Sequence, residues 1–137
     1  MRKLIPLAVI TLTSCAATPQ EAERAGAAAA ATGAALDREL ADLVPGQPTA
    51  CLPQPARVQL SSRTYGPTIV YVVSRDLKYR TDTTGGCERA GVGRDILATQ
   101  TSQTRSCRGD IARTVDPATG ITTGSCAFGD FVPYRRP

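Results

Sequence analysis

Alternating and continuous apolar segments dominate the second half of the chain and predict β-strands joined by tight turns. Thr68 to Val73 is the strongest run of β-branched and aromatic residues, and the turn signal Gly66-Pro67 precedes it. Its continuous apolarity predicts a strand that is covered on both faces. Ser74-Arg75-Asp76 then predicts a reversal into a strand from Leu77 to Thr81, where apolar and polar residues alternate.

Three further segments carry strand patterns. Residues 57 to 60 alternate between polar and apolar, and Ile96 to Thr101 is rich in residues that favour strands. Asp116 to Gly120 has Pro and Gly where a tight turn favours them, between the segments 111–115 and 121–123. This arrangement predicts a hairpin near the C-terminus.

The N-terminal part of the chain predicts a spacer followed by one short helix. Residues 16 to 35 are rich in Ala and interrupted by Gly26 and Gly33, which is typical of a partly helical, mobile tether. Three leucines, Leu36, Leu40 and Leu43, then recur at helical spacing before Pro45-Gly46. We predict an amphipathic helix over about residues 34–44 that caps the following domain; the alternative is a helix for a partner or for self-association.

The first fifteen residues have the layout of a secretory signal peptide. A charged start, Arg2-Lys3, precedes an apolar run from Leu4 to Leu12, and small residues lead to Cys15. The run is too short to span a membrane, which needs roughly 20 apolar residues. The alternative is an ordinary signal peptide whose cleavage site happens to lie beside a cysteine.

Leu12-Thr13-Ser14-Cys15 resembles the lipobox of bacterial lipoproteins. The resemblance implies cleavage before Cys15 and attachment of lipid to its sulfur. Two or three acyl chains would make that anchor stable, because one chain binds only marginally. Ala rather than Asp at position 16 implies, by the sorting rule of enterobacterial lipoproteins, the outer membrane with the domain facing the periplasm.

The core is predicted to be small, because the chain has four Tyr, two Phe and no Trp. Phe128, Phe131 and Tyr134 are expected to complete it rather than to form a ligand platform. Small cores usually need covalent reinforcement. Four cysteines remain for that purpose once Cys15 is assigned to lipid: Cys51, Cys87, Cys107 and Cys126.

We predict two disulfides, since an exported chain meets an oxidising compartment. A zinc site or free thiols are the alternatives, although the chain has no His and no Cys-x-x-Cys pair. If Val115 faces Ile121 in the C-terminal hairpin, Cys126 lies near Asp110, and a bend at Gly109 or Gly124 brings it towards Cys107. This register predicts the links Cys107–Cys126 and Cys51–Cys87.

No catalytic residue, metal ligand or cofactor site is predicted. The absence of His excludes Ser-His-Asp and Cys-His mechanisms. The acidic residues of the domain lie mostly beside turns, which accounts for them without catalysis. Arg108-Gly109-Asp110 spells an adhesion tripeptide, but Gly109 is better explained as a bend. We therefore expect a protein that is not an enzyme.

The charge of the domain suggests contact with anions. Residues 50 to 137 carry twelve basic side chains against seven acidic ones. Envelope polyanions such as lipid phosphates would be attracted, whereas nucleic acid is not expected for an exported protein. The bases are scattered, as on an ordinary solvated surface. The candidate anion contacts are Arg75, Lys78 and Arg80 on one hairpin, and Arg135 and Arg136 at the C-terminus.

Several segments resemble a group of small exported alphaproteobacterial proteins of unknown function. They are Leu40 to Cys51 (LADLVPGQPTAC), Leu77 to Arg80 (LKYR), Thr83 to Cys87 (TTGGC), Cys107 to Asp110, and Gly124 to Tyr134. The resemblance covers nearly all of residues 36 to 137 and includes the four domain cysteines. It implies a common fold and no particular activity.

Together these features predict a signal peptide (1–14), a lipidated N-terminus and Ala-rich tether (15–35), a short helix and linker (36–49) and a β domain (50–137). The fold class is mainly β, a small antiparallel sheet or barrel-like domain stapled by two disulfides. The expected function is that of a membrane-anchored interaction module for an unknown envelope protein or polyanion. The alternative is a periplasmic inhibitor of a cell-wall lytic enzyme, acting through a loop at 82–94.

Overall fold

The computed structural model describes residues 18–53, 61–93, 95–101 and 104–137. Two helices and seven strands lie within them, and the fold is mainly β, as predicted. The elements are α1 (Pro19–Leu40), β1 (Val44–Pro45), β2 (Ser61–Tyr65), β3 (Thr68–Val72), β4 (Leu77–Thr83), α2 (Arg89–Val92), β5 (Ile96–Gln100), β6 (Ile111–Val115) and β7 (Thr122–Arg135). The strand predicted at 57–60 and the lipobox lie outside the described residues. None of the described helices is both long enough and apolar enough to cross a membrane.

The strands form one antiparallel sheet in the order β2-β3-β4-β7-β6-β5, and β1 also pairs with β7. Strand β7 is 14 residues long, so one half pairs with β4 and the other half with β6. The sheet is curled, and α2, which precedes edge strand β5, packs against the opposite edge strand β2. Their contact is close because Gly91 lies against the backbone of Thr64, where a side chain would not fit.

Strand β3 is covered on both faces, which confirms the prediction from its continuous apolarity. Ile69 and Tyr71 point into the core together with Tyr79, Phe128 and Phe131. The rings of Tyr71, Phe128 and Phe131 pack with centroids 5.7 to 6.3 Å apart. The two phenylalanines therefore complete the core, as the sequence predicted, whereas Tyr134 is only partly buried and does not belong to the core cluster.

The hairpin turns follow the local sequence signals. Gly66, with a φ of 57°, lies in the two-residue loop between β2 and β3. In the loop before β7, Gly120 has a φ of 72° and donates a backbone hydrogen bond to the carbonyl of Asp116. Asp116 Oδ1 also accepts a hydrogen bond from the Ala118 amide, as Asp often does in turns.

Helix α1 differs from the prediction at both ends. It begins at Pro19 and ends at Leu40, so the expected mobile tether is largely helical and the expected helix over 34–44 is wrong in its bounds. Thr18 and Glu21 form a capping box, with Pro at the first helical position. The expectation that the helix caps the domain is confirmed for its last turns, where Leu40 is buried.

Both disulfides form, but their predicted pairing is wrong. The links are Cys51–Cys107 and Cys87–Cys126. The assumed hairpin register is the reason: Val115 pairs with Thr122, not with Ile121, and a shift beside it brings Cys126 opposite Ala112 in β6. Cys107 lies before β6 and bridges Cys51 instead.

The two disulfides are predicted to differ in their rate of reduction. Cys87 and Cys126 are 1% and 3% exposed, whereas Cys51 and Cys107 are only partly buried. A reductant therefore reaches the Cys51–Cys107 disulfide first. Alkylation and peptide mass mapping during limited reduction should find Cys51 and Cys107 modified before the other two. Earlier modification of Cys87 and Cys126 would contradict the burial described above.

Full reduction should cost about 4 kcal/mol of stability per link on the loop-entropy model.

Candidate functional site

The carboxylate of Glu39 joins helix α1 to the outer face of the sheet. Lys78 Nζ donates to Glu39 Oε1 over 2.7 Å, while Arg63 Nη1 and the Tyr65 hydroxyl donate to Oε2 over 2.5 and 2.9 Å. Arg63 and Tyr65 are two positions apart on β2 and therefore share a face, and Lys78 lies on β4. The Glu39 side chain is only 10% exposed. Both carboxylate oxygens are thus bound by groups of the sheet.

Lys78 also contacts the backbone at the C-terminal end of helix α1. Lys78 Nζ donates to the backbone carbonyl of Glu39 over 2.5 Å, one residue before the helix terminates. A cation at this place satisfies a carbonyl that has no partner within the helix and complements the negative end of the helix dipole. Asp42 then adopts a φ of 66°, and the chain turns into β1. Lys78 thus caps the C-terminal end of α1, which lies before the Pro45-Gly46 signal.

The contacts set the ionisation of the network. Burial raises the pKa of Glu39, but the hydrogen bonds from Lys78, Tyr65 and Arg63 outweigh it and hold the pKa below the ordinary 4.5. Burial, followed by the hydrogen bond to Glu39, raises the pKa of Tyr65. The hydrogen bond to Glu39 raises the pKa of Arg63. At neutral pH the network therefore holds a carboxylate, two cations and a neutral phenol.

A cleft of about 290 Å³ opens beside this network. Its lining combines the end of α1, strand β2 and the hairpin between β3 and β4. The lining residues are Arg38, Glu39, Arg63, Val72, Ser74, Arg75 and Lys78. Four basic side chains thus surround one carboxylate that is already hydrogen-bonded, which leaves an excess of positive charge. We call this site the basic cleft.

The structure brings together two of the five predicted anion contacts. Arg75 and Lys78 line the basic cleft. Arg80 instead pairs with Asp82 and Arg136 with Asp76, at 3.1 and 2.8 Å, while Arg135 lines a separate groove beside β1. Sequence reasoning missed Arg38 although it lies within the predicted helix, because β2, which carries Arg63 and lies beside the end of α1, was not predicted. The sequence does contain a signal for the start of the longer helix, because Thr18, Pro19 and Glu21 have the spacing of a capping box with Pro at the first helical position.

The acidic residues of the domain take part in ion pairs and turns, and the turn-based interpretation holds for only some of them, because Asp82 and Asp130 lie within β4 and β7. Four of them pair with arginines, and three accept hydrogen bonds from nearby backbone amides. The pairing residues are Asp76, Asp82, Asp95 and Asp130, and the amide acceptors are Glu88, Asp110 and Asp116. No cluster suited to a metal ion occurs among the residues that the structure describes.

The Arg108-Gly109-Asp110 tripeptide forms part of a tight turn. Arg108 pairs with Asp130 at 2.9 Å, and the Gly109 amide donates to the carbonyl of Phe128. Gly109 has a φ of 87°, which favours glycine over other residues. The predicted bend at this glycine is confirmed.

Replacing Glu39 by Gln should destabilise the protein and remove part of its acid sensitivity. The lowered pKa of Glu39 means that its contribution to stability is present above pH 4.5, the ordinary value, and is lost as the pH falls through the lower folded-state pKa. We expect Glu39→Gln to cost about 2 kcal/mol at pH 7, as for a hydrogen-bonded charged group. Urea denaturation over a pH series measures both effects. Glu23→Gln, on an exposed turn of the same helix, is the control and should change little; an equal loss in both variants would contradict the assignment.

Comparisons with known proteins do not assign a function to this site. No protein-family model, curated protein or solved structure matches the chain. The proposals below therefore rest on the sequence signals, the disulfides and the basic cleft.

Proposed function

We propose that this chain is a membrane-anchored envelope lipoprotein whose β domain is a non-enzymatic interaction module. Cys15, in the lipobox, is the proposed site of lipid attachment. The observation that carries the proposal is the pairing of the other four cysteines in two disulfides. Such links are typical of exported proteins, and they account for four of the five cysteines in the sequence, the fifth being Cys15.

Helix α1 supports the idea of a fixed spacing between anchor and domain. Only two residues separate Cys15 from the helix cap Thr18 in the sequence. The helix has 22 residues and so extends about 33 Å, and residues 18–31 are exposed along it. Its last turns are held to the sheet by Glu39. The proposed lipoprotein therefore carries its domain at the end of a helical arm rather than on a loose tether.

The basic cleft is the proposed contact surface of the module. It lies where the arm meets the domain, and its arginines suit an anionic group on another envelope component. Exposed apolar residues such as Ile96 and Ile121 also occur, and exposed apolar side chains are normal on a protein surface. The concave, charged site is therefore favoured over a flat apolar one.

The geometry does not favour the lytic-enzyme inhibitor. The segment 82–94 begins within β4, and Cys87 ties it to β7. Gly86 lies against the backbone of Ser125, and Gly91 lies against that of Thr64, so that neither position has room for a side chain. The packing of the described residues 82–93 against the sheet therefore gives this alternative less support than the interaction module has.

Lipid attachment is predicted to depend on Cys15 alone. In cells that express the full chain, labelled palmitate should enter the wild type and be lost in Cys15→Ser, which should also leave the membrane fraction. Cys51→Ser is the matched control; it removes a different cysteine and should retain the label. A wild-type chain that is exported and cleaved but carries no lipid would contradict the proposal.

A further inference from the structure

We propose that the basic cleft binds a phosphate group, with Arg38 and Arg75 as its direct contacts. The inference deepens the interaction-module proposal and rests on it, because it names the chemistry that the module recognises. It does not depend on lipid attachment at Cys15. Free phosphate esters and lipid headgroups share this chemistry, and the geometry described below favours a phosphate that is not part of the anchoring membrane.

Charge is the first argument. The cleft has four basic residues and one acidic residue in its lining. The Glu39 carboxylate is already engaged by Lys78, Arg63 and Tyr65, so it neutralises only part of this charge. Elsewhere on the domain, several arginines, though not all, meet separate carboxylates, as Arg89 does with Asp95 and Arg108 with Asp130. In the cleft, Arg38 and Arg75 have no carboxylate partner among the described residues.

Pre-organisation is the second argument. Lys78 is 14% exposed and is fixed by two hydrogen bonds to Glu39, and Arg63 is fixed by the same carboxylate. Side chains that are already ordered lose little rotamer entropy when a ligand arrives. Ser74 Oγ accepts a hydrogen bond from the Asp76 amide, which orients its hydroxyl at the same hairpin. Lys78 and Arg63 thus form a fixed positive floor, and Arg38 and Arg75 are the exposed side chains that a ligand has still to order.

Shape and chemistry narrow the ligand to a small, doubly charged group. A volume of about 290 Å³ is at the lower limit of small-molecule sites, which run from about 300 to 1,000 Å³. Guanidinium groups bind phosphate through two parallel hydrogen bonds, so a pair of arginines suits a phosphate better than a single carboxylate. The lining contains Val72 as its one apolar side chain, which does not suit a large apolar ligand.

The position of the cleft argues against headgroups of the anchoring membrane. Arg38 is 20 residues beyond Thr18, which places it about 30 Å along α1 from the end nearest Cys15. The exposed first turns of the helix carry Glu21 and Glu23 beside Arg24, so their charge gives no attraction to an anionic bilayer. The proposed ligand is therefore a phosphate outside the anchoring membrane, on the periplasmic side.

Calorimetric titration with inorganic pyrophosphate tests the site. The full chain, purified in detergent, is compared with R38A/R75A and with the matched control R24A/R113A, which removes two exposed positive charges outside the cleft. We expect saturable binding by the wild type, at least tenfold weaker binding by R38A/R75A, and a change of less than twofold in the control. No binding by the wild type, or equal weakening in both double variants, would overturn the proposal.

A second experiment distinguishes a phosphate outside the membrane from the phosphate of a lipid headgroup. The Cys15→Ser chain, which lacks the proposed anchor, is floated with phosphatidylglycerol vesicles, and binding is compared with neutral phosphatidylcholine vesicles. We expect no flotation that depends on Arg38 and Arg75. Flotation that these two arginines control, without pyrophosphate binding, would overturn the assignment to a phosphate outside the membrane. Palmitate labelling at Cys15 is measured separately, so the failure of either proposal is recognised independently.

Discussion

The carboxylate of Glu39 is the charged contact on which the relation between helix and domain depends. It is held by two cations and a phenol from two strands, and Lys78 also binds the last turn of the helix. The buried Leu40 adds apolar contact at the same end, whereas the first turns of α1 are exposed. One network therefore caps the end of the helix, joins the helix to the sheet and holds two of the four cations of the basic cleft, Arg63 and Lys78.

Beneath that network the domain relies on strand β7. It pairs with β1, β4 and β6, and it supplies Cys126, Phe128 and Phe131 to the core. A chain with two Phe and no Trp has little aromatic surface to bury, and the Cys87–Cys126 link lies in the core itself. The disulfide thus compensates for a small core by restricting the unfolded chain.

Local signals predicted much of the β domain. The run at β3, the reversal into β4 and the turn before β7 were readable because each depends on neighbouring residues. The cysteine pairing was not, because each disulfide joins segments that are far apart in the sequence, by 56 and 39 residues. The site was only half predicted: Arg75 and Lys78 lie on one hairpin, but Glu39 meets Lys78 across 39 residues. No periodicity within the helix indicates such a partner.

The most direct test of this account is a double-mutant cycle between Glu39 and Lys78. Urea denaturation at pH 7 gives the free energy of unfolding of the wild type, Glu39→Gln, Lys78→Met and the combined variant. Residues in contact within one charged network couple by about 0.5–3 kcal/mol, and we expect a coupling of at least about 1 kcal/mol here. Losses that simply add, to within about 0.3 kcal/mol, would show that this carboxylate does not hold the helix to the sheet.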